Sequence, residues 1–236
     1  MSKAVEPQAN RVMDLGEWNQ FWHDDHIGFH MPEVHMMLKK YLDQLLAGRT
    51  KVRFFFPLCG KAVDMKWLAD MGHPVVGVEI SEKAVRQFFE ENNLPYTEEA
   101  VPAIPGAKVF KNSEKNISLY QCDLYDFTSL VEGQFGAIWD RGSMVAINPR
   151  DREKYAALMM SLMADDCRFL LDTLIYNSAL YEGPPFLVPD EEVHALFGGR
   201  CDVKHLQSED IMSDLWKSLG LDSMTEHVIL IAPKRS

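Results

Sequence analysis

The stretch from Val52 to Ser81 constrains this chain more than any other. Val52-Arg53-Phe54-Phe55-Phe56 is a short apolar run rich in β-formers and closed by Pro57, the pattern of a buried strand. Ala62, Met65, Leu68 and Ala69 then recur at helical spacing, and Gly72 stands where a helix C-cap belongs. Val75 to Ile80 is a second apolar run, and Ser81 after it is suited to cap the next helix. The result is a β-loop-α-β unit with one glycine, Gly60, in its first turn and one acid, Glu79, at the end of its second strand. Their offset of 19 residues is close to the separation of about 20 at which a carboxylate meets ribose hydroxyls in nucleoside-binding folds.

The loop narrows the choice of nucleoside. Cradling a pyrophosphate takes a G-x-G-x-x-G turn whose amides approach the phosphates closely. Here Pro57-Leu58-Cys59-Gly60-Lys61 carries a single glycine. That disfavours an NAD-linked oxidoreductase and favours a ligand with ribose and no pyrophosphate, of which S-adenosylmethionine is the common one. An ordinary βαβ turn with a surface glutamate is the competing reading of the same residues.

Strand and helix patterns alternate along the rest of the chain. Trp18, Phe21 and Trp22 share one helical face within Leu15–His30, either docking a helix on the domain or forming a lid over a planar ligand. Pro32 opens a second helix, whose stripe from Val34 to Leu46 ends at Gly48. Val85, Phe88 and Phe89 mark a helix to about Asn93. Residues 94–116 read as an irregular connection with room for a short hairpin around Pro105-Gly106. Residues 117–122, 135–139 and 168–175 are further strands, with a helix over Tyr155–Leu162 between the last two. Asp123 and Asp140-Arg141-Gly142-Ser143 stand at strand ends, which in a parallel sheet open into one ligand crevice. After a loop containing Gly183-Pro184-Pro185-Phe186 comes a helix capped by Asp190, and residues 201–207 and 227–232 close the sheet. One three-layer doubly wound domain over residues 14–236 accounts for this order, with residues 14–48 as lid and N-terminal helices and residues 1–13 as a disordered start.

Composition excludes several classes. A net charge of −11 is unsuited to a surface that tracks nucleic-acid phosphates. Four scattered cysteines without a C-x-x-C pair fit reduced thiols, and the chain shows neither a signal pattern nor an apolar run of spanning length. A cytoplasmic monomer that binds neither nucleic acid nor membrane is the expectation. His23, His26 and His30 fall at i, i+3 and i+7, yet no cysteine or second histidine pair supports them as ligands, and no metal is expected.

Phe55-Phe-Pro-Leu-Cys-Gly-Lys-Ala-Val63, Val75-Val-Gly-Val-Glu-Ile-Ser81, Ile138-Trp-Asp-Arg-Gly142, Val145-Ala-Ile-Asn-Pro149 and Gly183-Pro-Pro-Phe186 together resemble the thiopurine S-methyltransferase family. The likeness runs from about Leu15 to the final strand and includes the spacing of Trp18, Trp22 and Phe29-His30. It implies a Rossmann-like methyltransferase fold with a mostly parallel seven-stranded sheet, an antiparallel last strand and N-terminal lid helices. It further implies S-adenosylmethionine as cofactor, S-adenosylhomocysteine as product and aromatic or heterocyclic thiols as acceptors. By similarity Trp18, Trp22 and Phe29 close over the cofactor, with Gly60 in its loop. Leu58 offers backbone contact near the methionine part, Glu79 takes the ribose, and Asp123 and Leu124 flank the adenine. Arg141 serves cofactor and acceptor and is the catalytic candidate; Phe29, Pro184 and Pro185 border the acceptor. Two departures stand out. Leu215 occupies the place of a second acceptor-site arginine, which disfavours anionic acceptors, and Asp123 replaces a small hydroxyl residue.

Methyl transfer from a sulfonium is an in-line displacement, for which positioning can supply roughly 7–11 kcal/mol at the extreme. Aromatic thiols ionise more readily than alkyl thiols, whose pKa is about 8.5, so no strong base is required. Arg141 could favour the anionic acceptor; its bland alternative is a salt bridge to Asp140 or a helix-end charge. Nucleic-acid amine methyltransferases carry Asn-Pro-Pro-Tyr or Phe, and Gly183-Pro-Pro-Phe186 lacks the amide. A catalytically silent nucleoside-binding protein, or a methyltransferase for another small nucleophile, remains the alternative.

Overall fold

A computed structural model describes residues 11–234. Phe54–Phe56 forms β1, and its three phenylalanines alternate across the sheet: Phe55 enters the core on one face, Phe54 and Phe56 the core on the other. That alternation is why so short a strand can sit at the centre of the molecule.

Around it run α1 (Leu15–His23), α2 (Met36–Leu46), α3 (Val63–Asp70), β2 (Val75–Glu79), α4 (Glu82–Glu91), β3 (Thr97–Ala100), β4 (Lys108–Asn112) and β5 (Ile117–Gln121). Then follow α5 (Ser129–Glu132), β6 (Phe135–Arg141), α6 (Arg152–Leu162), β7 (Met163–Ile175), α7 (Asp190–Phe197), β8 (Cys201–Asp210), α8 (Asp214–Ser218) and β9 (Thr225–Pro233). The sheet order is β3-β4-β5-β2-β1-β6-β7-β9-β8. Strands β5, β2, β1, β6 and β7 are parallel, whereas β9 is antiparallel to both neighbours. Helices α2, α3 and α4 bury Leu38, Met65 and Phe88 against one face; α6 and α7 bury Tyr155, Met159, Val193 and Phe197 against the other.

The sheet has nine strands, not the seven expected. The added pair is β3-β4, antiparallel through Ala100↔Lys108 and joined by the turn containing Pro105-Gly106. Every residue of β3 is exposed, so the strand leaves no alternating apolar signal. Its edge is blunted by charge: Glu98 pairs with Arg86 and Lys108, and Glu99 with Lys111.

Three local expectations are corrected. Pro32 lies ahead of α2, which starts at Met36 under a His35 cap whose Nδ1 accepts from the Met37 amide at 3.3 Å. Asp190 is not the cap of α7; Pro189 is, and the Asp190 carboxylate instead meets His205 Nδ1 at 2.7 Å and His227 Nδ1 at 2.8 Å. Of the start expected to be disordered, residues 1–10 lie outside the described residues, but Met13 is buried and its amide and carbonyl both bond the Asn148 side chain.

Candidate active site

The first crossover builds the site. After β1 the chain turns with Leu58 at φ 42° and Gly60 at φ 48°, and the Cys59 amide donates to Val78 O at 2.9 Å, tying the loop to β2. The Gly60 amide donates to one oxygen of Glu79 and the Ser81 amide to the other, each at 2.9 Å. Glu79 is thus buried at the meeting of loop and strand; burial pushes its carboxyl above the ordinary range, against the opposing pull of the two amides. It lines a cavity of about 740 Å³ that also touches Leu58, Asp123, Arg141, Pro184 and Leu215.

A helix covers this cavity. Helix α1 opens with an Asp14–Glu17 capping box, and its aromatic face carries Trp18 and Trp22. Phe29 lies edge-on to both, with ring centroids 6.2 Å from Trp18 and 5.5 Å from Trp22. Trp22 is buried against Gly60 itself: a Cβ there would fall 2.8 Å from its ring. Arg141 Nη1 donates to Phe29 O at 2.6 Å, and Lys83 reaches Asp25 at 2.7 Å, so the segment is held at three points. Gly60→Ala is therefore expected to strain the turn by about 1–2 kcal/mol and to push Trp22 outward. A melting temperature lowered by about 2–4 °C per kcal/mol and a shifted tryptophan emission would show it; neither changing would mean the lid is not seated on the loop.

The remaining candidates fall into place around the same space. Asp123 caps the turn Leu124–Asp126, its Oδ1 accepting from the Tyr125 amide at 2.9 Å, while Leu124 beside it is buried in the core and touches the cavity. The Pro184 and Pro185 carbonyls accept from the Tyr181 and Tyr176 hydroxyls, the latter at 2.7 Å, and Phe186 below them is fully buried. Leu215, on α8, borders the cavity as an exposed apolar residue. Arg141 is not paired with Asp140. The fully buried Asp140 carboxylate accepts from the Ser143 amide at 2.9 Å, the Met144 amide at 3.2 Å and the Tyr155 hydroxyl, and burial pushes it up to about 6.

The histidines of the N-terminal segment do not gather. His23 is exposed and bonded to Asp24 at 2.9 Å, and burial lowers His30. Among the described residues, the places where three metal-ligand types converge are Asp190–His205–His227 and His35–Asp172–Glu226. The second group lines the cavity together with Asp64, and the sequence reading passed over it. One signal was available: Asp172 interrupts the apolar run of residues 169–175, and an acid inside a buried strand needs a reason.

Comparison with known proteins agrees with this geometry. The thiopurine S-methyltransferase sequence family matches residues 13–234. The chain belongs to the thiopurine S-methyltransferase family. A Danio rerio protein described as a probable thiopurine S-methyltransferase is 59% identical over 230 residues, covering 98% of this chain and 99% of its own length. The Panthera leo thiopurine S-methyltransferase is 51% identical over 230 residues, 98% of this chain and 94% of its own. Among solved structures, the Burkholderia thailandensis 1,6-didemethyltoxoflavin-N1-methyltransferase, crystallised with S-adenosylhomocysteine, superposes with a TM-score of 0.59 at 14% identity over 97% of this chain and 94% of that one. At that identity the likeness establishes the Rossmann-like methyltransferase fold of this family member. No helix among its described residues is long and apolar enough to cross a membrane.

Proposed function

We propose that the chain transfers a methyl group from S-adenosylmethionine to the sulfur of aromatic and heterocyclic thiols, a reading supported by its membership of the thiopurine S-methyltransferase family. The observation that carries this reading is the buried Glu79 held against the Gly60 turn on the wall of a lidded cavity. The residues present suit the cofactor: a carboxylate for ribose hydroxyls, a glycine turn where backbone can approach closely, and aromatic rings above. When bound, S-adenosylmethionine supplies a methyl carbon activated by a sulfonium, and S-adenosylhomocysteine is what remains.

The chain's own groups would divide the work. Glu79 holds the ribose, Leu58 and Gly60 offer backbone beside the methionine portion, and Asp123 and Leu124 border the adenine. Trp18, Trp22 and Phe29 exclude water, which strengthens every electrostatic contact inside. Phe29, Pro184 and Pro185 bound the acceptor, and Arg141 steadies the sulfur of an aromatic thiol as the thiolate. Leu215 replaces a cation with an apolar wall, so acceptors carrying further negative charge bind poorly. The chain acts as a cytoplasmic, monomeric single domain on small molecules; its four cysteines are buried free thiols and its charge of −11 is unsuited to nucleic acid.

A methyl-acceptor screen with labelled cofactor, spanning thiols, phenols and amines, tests the reading. Label entering benzenethiol-type and heterocyclic thiols ahead of phenols and amines is the expected result. Cofactor binding with no transfer to any acceptor would make the chain a silent nucleoside binder, and preference for an amine would move the chemistry to nitrogen.

A further inference from the structure

The cavity carries a polar cluster that the reading above leaves unused. His35 precedes α2, Asp172 lies in β7 and Glu226 in β9, and all three line the cavity with Arg141. The His35 Nδ1 accepts from the Met37 amide, so the ring proton is on Nε2, which lies 3.3 Å from Glu226 Oε1 and 3.7 Å from Asp172 Oδ2. The side-chain ligand atoms of all three lie within 4.8 Å of one another. Burial and the neighbouring Glu226 drive the Asp172 carboxyl far up. Burial also opposes charge on Glu226, but His35, Asp172 and Arg141 together outweigh it and hold that carboxyl below the ordinary range. Of the two acids, Glu226 is the one nearer the His35 Nε2 donor, and it lies within the field of Arg141. Burying two carboxyl groups costs free energy that a well-packed apolar pair in the same place would not. Stability alone does not account for the cluster.

We propose that Glu226 accepts the ring N–H of a heterocyclic acceptor bound as its thione tautomer, and takes that proton when the sulfur is methylated. The proposal rests on the S-methylation reading and names the acceptor class: rings in which C=S stands beside N–H. A sulfur lone pair forms the new bond to the methyl carbon, and the methyl–sulfonium bond of S-adenosylmethionine breaks with its electrons staying on the departing sulfur. The ring nitrogen, now cationic, releases its proton to the Glu226 carboxylate and keeps the N–H electron pair, leaving a neutral methylthio heterocycle; the proton passes later to water. The N–H becomes acidic only as the methyl arrives, so a weakly basic carboxylate held ionised in place is matched to the task. His35 and Asp172 are positioning residues that aim Glu226 and keep its charge.

The test compares pyridine-2-thione, which has the ring N–H, with benzenethiol, a ring of like size without it. Glu226→Gln keeps the shape and removes the charge. The thione-to-benzenethiol ratio of kcat/KM is expected to fall about 100-fold. Calorimetry on the complex with S-adenosylhomocysteine gives a readout free of turnover: the Kd of pyridine-2-thione is expected to rise about tenfold relative to that of benzenethiol. Glu226→Asp keeps the buried charge and its folding partners but withdraws the carboxylate by one methylene, and carries the same expectation should the glutamine variant not fold. An unchanged ratio, or equal losses for both acceptors, in an active enzyme would overturn the proposal alone. Wild-type protein that methylates neither acceptor would overturn the S-methylation reading, and the proposal with it.

Discussion

Glu79→Ala is expected to weaken binding of S-adenosylhomocysteine by about 1.5–3 kcal/mol, the range for hydrogen bonds to a charged group. In Kd that is roughly 10- to 150-fold by calorimetry. Both Glu79 oxygens already accept a backbone amide, from Gly60 and from Ser81, so each has one further lone-pair direction to offer a hydroxyl. The alanine variant also strands those two amides, at about 1–3 kcal/mol each if they stay buried, and should melt earlier. The two effects separate with a cofactor analogue lacking the ribose hydroxyls. Wild-type protein should lose affinity for the analogue, and the variant should lose little more. A variant that still discriminates the analogue as strongly as wild type does would take Glu79 off the ribose.

Arg141→Ala should lower kcat/KM for an aromatic thiol by about 1.5–3 kcal/mol, or roughly 10- to 150-fold, while cofactor affinity falls by less. The reasoning starts from its neighbours. Asp140, the obvious partner by sequence, is engaged by Ser143, Met144 and Tyr155, so the guanidinium of Arg141 is free to serve the cavity it lines. Its Nη1 donates to the Phe29 carbonyl, which places a fixed cation directly beneath a lid residue. Lysine at this position should recover part of the loss, because it restores charge but not the planar fork. The loss should shrink as pH rises past the thiol's own pKa, where the acceptor ionises without help. A rate constant unaffected by the alanine substitution would leave Arg141 as a tether for Phe29 and nothing more.

Local pattern carried much of this molecule. Residues 52–81 specify strand, loop, helix and strand by short-range periodicity, and the pairing of Gly60 with Glu79 follows from the length of one crossover. Ser81 caps α4 as its position implied, accepting from the Ala84 amide at 3.3 Å. The strands over residues 117–121 and 135–141 likewise declare themselves, because strands inside the sheet are rich in buried apolar residues. Where burial is absent the signal vanishes: β3 is held by its ladder to β4 and by ion pairs, neither of which has a period to read.

What only the tertiary structure decided is the company each polar residue keeps. Asp190 looked like a cap and became a bridge between two histidines, because β8 and β9 lie beside the start of α7. His35, Asp172 and Glu226 are far apart in the chain, and no local pattern joins them. They meet because β9 runs antiparallel against β7, setting Glu226 opposite Leu174 and bringing its carboxyl to that of Asp172. Sequence periodicity reports how one segment meets the core; which segments become neighbours depends on strand order, and strand order determines which buried polar groups meet.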